Sequence, residues 1–278
     1  MEDPALDRAV RRLESGLREL GSVLVAFSGG ADSAFLLAAA VRALGPGRVV
    51  AATAVSASLA SGELGRAADF AAGMGVRHEM PRTLEMSREG YRGNSADRCY
   101  FCKAELLEVL APVATALGLR AVVTGTNADD GVAGFRPGIR AATERGAVTP
   151  LLDAGLTKAQ VRAASRRWGL VTWDKPAAAC LSSRVAYGVE ITPAGLARVD
   201  RAETALRAAL AAAGIGADNL RVRDLGSGRA RVEVDAALVP ALTGRPDVLA
   251  AIEGFGTIEV DPRGFRSGSM NELLATPD

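Results

Sequence analysis

The sequence SGGADS at positions 28–33 brings together the residue types that hold phosphate groups in proteins. It follows an apolar run at 23–27 and leads into an apolar pattern typical of a buried helix. A loop between a strand and a helix points backbone N–H groups and the positive helix end at one place, and glycines let a phosphate approach closely. We therefore predict a phosphate-binding loop, with Ser33 capping the helix and Asp32 as a candidate Mg²⁺ ligand.

Two motifs that the chain lacks limit which phosphate-containing ligands the loop is expected to bind. There is no GxxxxGK[ST] sequence and no GxGxxG sequence, which argues against γ-phosphate transfer and dinucleotide binding. The remaining pattern resembles the PP-loop of the ATP pyrophosphatases, enzymes that split ATP between its α and β phosphates and adenylate a carboxylate or carbonyl oxygen. An ordinary glycine-rich turn is the alternative. The resemblance implies that ATP is bound by Ser28, Gly29, Gly30, Asp32, Ser33, Gly125 and Thr126.

A second polar stretch, TGTNADD at 124–130, follows another apolar run. Open α/β sheets bind ligands at the carboxyl ends of their strands, so this stretch is expected at the ligand-binding edge of the sheet. Asp130 is a candidate Mg²⁺ ligand together with Asp32, or a residue that caps a turn. The sequence PLLD at 150–153 also resembles a helix entry of the PP-loop family.

After adenylation, a nucleophile must attack the activated group, and the three cysteines are candidates for this nucleophile. Cys99 and Cys102 form a Cys-x-x-Cys pair, and Cys180 is distant from both in sequence. Basic neighbours at Lys175 and Arg184 favour the thiolate form of Cys180, which we expect past the carboxyl end of a strand.

The segment around Cys180 narrows the resemblance to one family. CLSSR at 180–184, followed by YG at 187–188 and IT at 191–192, resembles the LarE sulfur transferases of nickel-pincer nucleotide synthesis, and so does GFRSGSMN at 264–271. The resemblance implies that the carboxylates of pyridinium-3,5-dicarboxylic acid mononucleotide are adenylated, with release of pyrophosphate, and become thiocarboxylates. In one branch of the family the sulfur comes from a single cysteine, matching Cys180, which is left as dehydroalanine.

Two further cysteines distinguish this chain from that branch. Three thiolates, from Cys99, Cys102 and Cys180, leave one iron of a 4Fe–4S cluster without a protein ligand, and that iron can carry sulfide. Cluster-bearing tRNA thiolases and some LarE proteins resemble this arrangement. We therefore predict a cluster as the sulfur source. The alternatives are a sacrificial Cys180, a redox pair, a zinc site, or buried thiols without chemistry.

The implied substrate carries a phosphate and two carboxylates, groups that guanidinium ions bind with paired hydrogen bonds. The candidate substrate-binding residues are Arg184, Arg221, Arg223 and Arg266. Arg221 and Arg223 fall on one face of a predicted strand, and Arg266 lies in a Gly- and Ser-rich segment. Solvated surface charges are the alternative for all four.

The periodicity predicts an α/β fold with two domains. Strands alternate with helices over the first two-thirds, as in a doubly wound parallel sheet, and a strand at 170–173 is expected to end this part. The pattern then changes to a long helix and short strands, as in a smaller α+β domain. We predict a PP-loop ATP-binding domain at 1–175 and a substrate-binding and oligomerisation domain at 176–278, which carries the Cys180 loop.

Composition limits the class of protein. Thirty-three basic and 32 acidic residues leave a formal charge of +1, so we expect no broad basic face for nucleic acid. No apolar run is long enough to span a membrane and the N-terminus lacks the apolar core of a signal peptide, which favours a cytoplasmic protein. The single histidine, His78, argues against His-rich metal sites. For Glu203 and Glu233 we favour surface positions.

Together with the resemblance, these patterns predict an ATP-dependent, pyrophosphate-releasing sulfurtransferase that uses ATP, Mg²⁺ and a 4Fe–4S cluster. Its expected partners are a small nucleotide substrate, sulfide or another sulfur donor, and further copies of the chain, but neither nucleic acid nor a membrane. A tRNA thiolase of the same fold is the runner-up. An amidotransferase-type synthetase and a nucleotide sensor are further alternatives.

Overall fold

The structure, a computed structural model, describes residues 3–132, 137–176 and 179–274. The chain forms two compact units, each assembled from separate stretches. Unit 1 comprises Met1–Ser56, Gly62–Glu85 and Cys99–Ala178, and unit 2 comprises Ala57–Ser61, Met86–Arg98 and Ala179–Asp278. No helix in the described ranges has both the length and the apolar character needed to cross a membrane.

Unit 1 is built on a parallel sheet. Its strands are β1 (Val23–Ala26), β2 (Val49–Ala52), β3 (Arg77–Glu79) and β4 (Ala121–Thr124). They lie in the order β3-β2-β1-β4, so the chain moves outward from β1 in one direction and returns to its other side. Ala26 pairs with Ala52 and with Thr124, which brings the carboxyl ends of β1 and β4 together. This is the switch point at which open parallel sheets bind ligands.

Helices cover both faces of this sheet. In chain order the helices up to residue 167 of the described ranges are α1 (Pro4–Leu20), α2 (Ala31–Leu44), α3 (Glu63–Gly73), α4 (Glu89–Arg92), α5 (Arg98–Ala116), α6 (Ala128–Val132), α7 (Pro137–Glu144), α8 (Pro150–Asp153) and α9 (Lys158–Arg167), of which α4 belongs to unit 2. Val23 and Val25 of β1 pack in one apolar cluster with α1, α2 and α9, whereas Leu24 packs in another with Leu110 of α5. Successive strand side chains point to opposite faces, so β1 joins the two layers.

Unit 2 contains a small mixed sheet covered by a long helix. Its remaining elements are α10 (Pro193–Ala212), β5 (Leu220–Asp224), β6 (Arg229–Val234), α11 (Val239–Thr243), α12 (Pro246–Leu249) and β7 (Thr257–Val260). β5 and β6 pair antiparallel, and β6 and β7 pair parallel. Leu206 and Leu210 of α10 share an apolar cluster with Val222 and Val232 of the sheet.

The structure confirms the predicted α/β fold, but the strand expected at 170–173 is wrong. These residues form turns, in which the Trp173 N–H donates to the Leu170 carbonyl at 3.1 Å. Val171 is 82% exposed. Because the backbone is satisfied locally and this apolar side chain faces solvent, the segment has no reason to join the sheet.

Candidate functional site

The phosphate loop connects β1 to α2 and is held by hydrogen bonds between its own residues. The hydroxyls of Ser28 and Ser33 are 3.1 Å apart, and Ser33 Oγ donates to the Gly30 carbonyl at 3.1 Å. Gly29 has a φ of 70°, a left-handed conformation that favours glycine. Helix α2 begins at Ala31 with Gly30 as N-cap, so the prediction that Ser33 caps it is wrong. Gly30, with an extended backbone, is the N-cap residue. Ser33 lies in the first turn of α2 and stabilises the loop through its hydrogen bonds to Ser28 and Gly30.

Gly125 and Thr126 follow β4 at the same edge of the sheet. A Cβ atom on Gly125 would lie 2.9 Å from the backbone N and 3.1 Å from the Cα of Ser33. Glycine is therefore required because the backbone after β4 touches the first turn of α2. The hydroxyls of Thr126 and Thr124 are 3.2 Å apart. The structure thus brings the predicted ATP-binding residues of both stretches to the switch point.

Asp32 lies in the first turn of α2, with its Oδ1 atom buried and without a hydrogen-bond partner among the described residues. Burial raises the pKa of Asp32, the charge of Lys158 opposes this rise, and the charge of Asp130 adds to it. Mg²⁺ is commonly held by one or two carboxylates together with phosphate oxygens. An unpaired buried carboxylate oxygen near a second carboxylate fits such an ion.

Asp130 also closes the turn at the start of α6. The Asn127 N–H donates to Asp130 Oδ2 at 3.3 Å, and the Asp130 N–H donates to Asn127 Oδ1 at 3.2 Å. Asp129 accepts a 2.7 Å hydrogen bond from the Lys158 N–H, which ties the start of α9 to this turn. Sequence reasoning missed Asn127, although a polar residue closely following a buried strand end is a usable signal.

Lys175 is a further residue whose role the sequence did not reveal. Its Nζ atom donates to the Gly29 carbonyl at 2.9 Å and to Glu63 Oε2 at 2.8 Å, within unit 1. Burial opposes ionisation of Glu63, but hydrogen bonds from Lys175 and Arg66 outweigh it and lower the pKa of Glu63. A pinned ammonium group on the phosphate loop is well placed to attract phosphate.

Cys99 and Cys102 lie in the first turns of α5, and neither forms a disulfide. Burial lowers the pKa of the neighbouring Lys103 amine, while the charges of Cys102, Cys99 and Asp130 act to raise it. Two thiols, an ammonium group and a carboxylate of the candidate Mg²⁺ site therefore interact within unit 1. Sequence reasoning did not identify Lys103 either, although a basic residue directly after a Cys-x-x-Cys pair could have indicated it.

Cys180 lies in unit 2, exposed and free, directly before a short 3₁₀ helix, Leu181–Arg184. It does not follow a strand as predicted, because the segment at 170–173 forms turns. Its carbonyl accepts hydrogen bonds from the Ser183 hydroxyl at 2.8 Å and from Arg184 Nη1 at 3.0 Å. Arg184 thus fixes the backbone of Cys180.

Arg184 is buried and forms a salt bridge with Glu203 of α10. Arg184 Nε lies 3.0 Å from Glu203 Oε1, and the same oxygen accepts a 3.1 Å hydrogen bond from the Val222 N–H of β5. The surface position favoured for Glu203 is therefore wrong. Sequence periodicity could not show that an arginine from the Cys180 loop would cover this carboxylate.

Arg223 and Glu233 form a second buried pair, across β5 and β6. Arg223 Nη2 donates to Glu233 Oε2 at 2.7 Å, and Ser269 Oγ donates to Glu233 Oε1 at 2.8 Å. Arg223 Nη1 also donates to the Ser183 carbonyl at 3.1 Å. Glu233 is 1% exposed, so its predicted surface position is wrong as well. Both arginine pairs hold the loop that carries Cys180.

Arg221 lies beside these pairs on the same face of β5. Burial and the neighbouring charges of Arg184 and Arg223 lower the pKa of Arg221 to about 10, against the opposing charge of Glu203. Its guanidinium also stacks over Phe265, 5.3 Å from the ring centre. With three arginines and two glutamates, this site retains positive charge and is suited to an anion.

Arg266, the fourth candidate, is engaged in ion pairs of its own. Its Nη2 atom lies 3.2 Å from Glu272 Oε1, and its Nη1 atom lies 3.7 Å from Asp261 Oδ1. Arg266 thus lies at the C-terminal end of unit 2 with its charge partly balanced.

A polar segment before α5 supports the Cys180 loop from within unit 2. The Asn94 amide donates to the carbonyls of Ala186 and Val189 at 2.8 and 2.9 Å. Arg98 Nη1 donates to the Ser182 carbonyl at 2.9 Å. Asn94 has a φ of 52°, which asparagine tolerates better than most residues. These buttressing residues left no periodic signal in the sequence.

Among the described residues, no group of three or more His, Cys, Asp or Glu side chains is placed to hold a metal ion. Cys99 and Cys102 belong to unit 1, and Cys180 belongs to unit 2. The cluster stays a prediction. For Mg²⁺, by contrast, phosphate oxygens of a bound nucleotide would complete the ligand set that Asp32 and Asp130 begin.

A parallel sheet with a Ser-Gly-Gly loop at its switch point and an aspartate in the first turn of the next helix defines an α/β protein with the PP-loop fold. No protein-family model matches the chain. Pyridinium-3,5-bisthiocarboxylic acid mononucleotide synthase of Lactiplantibacillus plantarum is 32% identical over 94% of this chain and 93% of its own length. The chain therefore belongs to the family of this synthase, the LarE family.

Two uncharacterized proteins are also similar to the chain. One, from Synechocystis sp., is 40% identical over 97% of this chain and 99% of its own length. The other, from Methanocaldococcus jannaschii, is 26% identical over 59% of this chain and 61% of its own length. Similarity to the synthase and to the Synechocystis protein thus extends over both units.

Proposed function

We propose that this protein is an ATP-dependent sulfur transferase that converts the carboxylates of pyridinium-3,5-dicarboxylic acid mononucleotide into thiocarboxylates. The observation that carries the proposal is the 32% identity, over 94% of the chain, to a synthase of the bisthiocarboxylic acid mononucleotide. The phosphate loop at the switch point supports an ATP-dependent first step, and the arginines of unit 2 support an anionic substrate.

In the first step, a substrate carboxylate attacks the α-phosphorus of ATP, forming an acyl adenylate and releasing pyrophosphate. Backbone N–H groups of the loop and the Lys175 ammonium bind the phosphates. Asp32 and Asp130 would hold Mg²⁺, which when bound offsets negative charge on the phosphates. Ser33 keeps the loop in shape through its bonds to Ser28 and Gly30.

Substrate recognition is assigned to the arginine site of unit 2. Arg184 and Arg223 are saturated by glutamates and serve to position the loop. Arg221 faces two like charges and is the best candidate for binding a substrate phosphate or carboxylate.

In the second step, the Cys180 thiolate attacks the acyl carbon and displaces AMP. The resulting thioester loses the proton on the Cys180 Cα to a base, and the Cβ–S bond breaks. The sulfur leaves on the substrate as a thiocarboxylate, and the chain keeps dehydroalanine. The exposed, backbone-fixed Cys180 supports this route. Sulfide delivery by a 4Fe–4S cluster is the other route.

The test is single turnover with purified protein, ATP, Mg²⁺ and the dicarboxylic acid mononucleotide. Pyrophosphate, AMP and product are quantified, and the intact chain is weighed by mass spectrometry. We expect thiocarboxylate product and a chain lighter by one H₂S. Cys180→Ala should release pyrophosphate without transferring sulfur, and unchanged sulfur transfer in this variant would refute the Cys180 route.

Anaerobic reconstitution with iron and sulfide distinguishes the two sulfur sources. A cluster lost on changing any one of Cys99, Cys102 and Cys180, together with many turnovers per chain, would establish the cluster route. Cys99→Ala/Cys102→Ala is the matched control, because the sacrificial route leaves its single-turnover yield unchanged. If no pyrophosphate is released with this substrate, the proposed function itself is refuted.

A further inference from the structure

A cavity on unit 1, built from residues other than those assigned to ATP, is rich in arginine. Its volume is about 490 Å³, within the roughly 300–1,000 Å³ range of small-molecule pockets. Helix α1 forms one wall and the residues around the start of α9 form the other. Beside Ala5, Ala9 and Gly155, its lining consists of the polar side chains of Arg8, Arg11, Arg12, Ser15 and Gln160, and none of the described residues that line it is acidic. We call it the arginine cavity.

The arginines share one face of α1. Arg8, Arg11 and Arg12 have the i, i+3, i+4 spacing that places side chains next to one another, and all three are exposed. Like charges at these spacings repel and weaken a helix. An arrangement that is unfavourable alone becomes favourable when an anion lies among the guanidinium groups.

Within the described part of the chain, none of these three arginines has an ion-pair partner. Two of the three acids of α1 are engaged elsewhere, Glu14 with Arg18 at 3.1 Å and Asp7 with Arg167 at 2.6 Å, and the third, Glu19, lies near the end of the helix. The charges of the cavity are therefore not balanced by the protein.

The opposite wall leaves room for a ligand. Gly155 has a φ of 70°, and a Cβ atom there would lie 3.6 Å from Arg12 Nη2. The guanidinium group thus lies directly over a residue without a side chain. The depression is open to solvent, and the arginines that line it have no acidic residue among the other lining residues.

We propose that the arginine cavity is a second anion site, which binds a small molecule carrying several phosphate charges. Arg8 and Arg12 donate paired hydrogen bonds to phosphate oxygens, and Arg11 contributes charge. The site is independent of the proposed sulfur transfer, because none of its residues belongs to the phosphate loop or to the arginine site of unit 2.

The test is calorimetric titration of the full chain with inorganic tripolyphosphate at about 0.15 M salt, near physiological ionic strength, after the ATP site has been filled with a non-hydrolysable ATP analogue. The test variant is Arg8→Gln/Arg12→Gln. The control, Arg48→Gln/Arg120→Gln, removes the same charge from two other exposed arginines of unit 1. All four side chains are exposed, so both variants should fold, which circular dichroism verifies.

We expect the binding that depends on Arg8 and Arg12 to saturate at one tripolyphosphate per chain, with its affinity reduced at least tenfold in the test variant and less than twofold in the control. Equal binding by the wild type and the test variant would overturn the proposal. Equal losses in both variants would overturn it too, because they would mean binding to overall charge. Tighter, Arg8- and Arg12-dependent binding of an RNA hairpin would assign the face to RNA and also overturn it.

Discussion

At the scale of single residues, the site depends on charges whose partners lie far away in sequence. Asp32 is half-buried near Lys158 and Asp130, and Lys175 donates hydrogen bonds to the Gly29 carbonyl and to Glu63. Burial disfavours the charge of Asp32, which a bound cation would offset, whereas Lys175 is already paired within the protein. Their substitution should therefore separate function from stability.

Asp32→Asn should reduce pyrophosphate release by about a hundredfold or more, because a charge that organises the phosphates is lost. The pKa of Asp32 is raised, so the folded state holds this proton more tightly than the unfolded state. Stability contributed by Asp32 therefore rises as pH falls through the raised pKa and is reduced at neutral pH. The neutral amide of the Asp32→Asn variant should accordingly leave Tm unchanged or higher.

Calorimetry and a pyrophosphate assay over a pH series check this, with the exposed Asp69→Asn as control. In wild type, activity should begin to fall at a pH above the usual carboxyl pKa of 3.8, since the ionised form is required. A large drop in Tm for Asp32→Asn would contradict the assignment.

Lys175→Met/Glu63→Gln should weaken ATP binding about tenfold or more, because a charged hydrogen-bond donor is removed from the phosphate loop. The double change avoids leaving Glu63 without its partner. Arg66→Gln removes the other contact of Glu63 and is the control. Titration with a non-hydrolysable ATP analogue measures the effect, and equal affinities in the two variants would argue against a role for Lys175.

At the scale of elements, two close approaches define the sites. The turn after β4 touches the first turn of α2 at Gly125 and Ser33, and β5 faces β6 through the buried pair of Arg223 and Glu233. Both contacts join parts of the chain that local sequence patterns treat separately.

Gly125→Ala should destabilise unit 1 by about 1–3 kcal/mol and abolish ATP binding, because a Cβ atom 2.9 Å from the Ser33 backbone N forces the two turns apart. Gly16→Ala is the control, since nothing lies within 4 Å of a Cβ in the middle of α1. That change should stabilise the helix by up to about 1 kcal/mol. Denaturant unfolding measures both, and equal effects would refute the steric argument.

Arg223→Met should cost about 3–5 kcal/mol, because Glu233 would remain buried and charged without its partner. Arg223→Met/Glu233→Leu should recover most of that loss while keeping the fold. Arg231→Met removes an arginine from a more exposed pair with Glu259 and should change stability by only about 0–1 kcal/mol. Chemical denaturation ranks the three, and equal losses for both single variants would contradict the buried-pair argument.

At the scale of the whole molecule, unit 2 is assembled from three separate stretches of the chain. Residues 86–98 supply Asn94 and Arg98, which hold the Cys180 loop by hydrogen bonds. The proposed division of the chain into domains 1–175 and 176–278 can be tested on this basis.

The isolated fragment 176–278 should be less stable than unit 2 in the full chain, because it lacks residues 57–61 and 86–98. A fusion that adds residues 86–98 through a flexible linker should raise its Tm. The same fusion with Asn94→Ala, which leaves the carbonyls of Ala186 and Val189 without that donor, is the control. Equal stability of all three proteins would show that the 86–98 segment is dispensable.

The sequence by itself determined the class of fold and the position of the SGGADS loop between a strand and a helix. Apolar runs such as 23–26 and 49–52 predict buried strands, because the strands of a parallel sheet are covered on both faces. Glycines, serines and an aspartate between a strand and a helix predict an anion site for equally local reasons. The Cys180 loop could likewise be singled out from its own residues.

Only the tertiary structure decided which charges meet. From the sequence, Glu203 and Glu233 were expected at the surface, since local patterns cannot show that Arg184 and Arg223 cover them. The strand expected at 170–173 is not formed, because the backbone hydrogen bonds there are made within local turns. The partners of buried charges are set by long-range packing, which a local pattern does not encode.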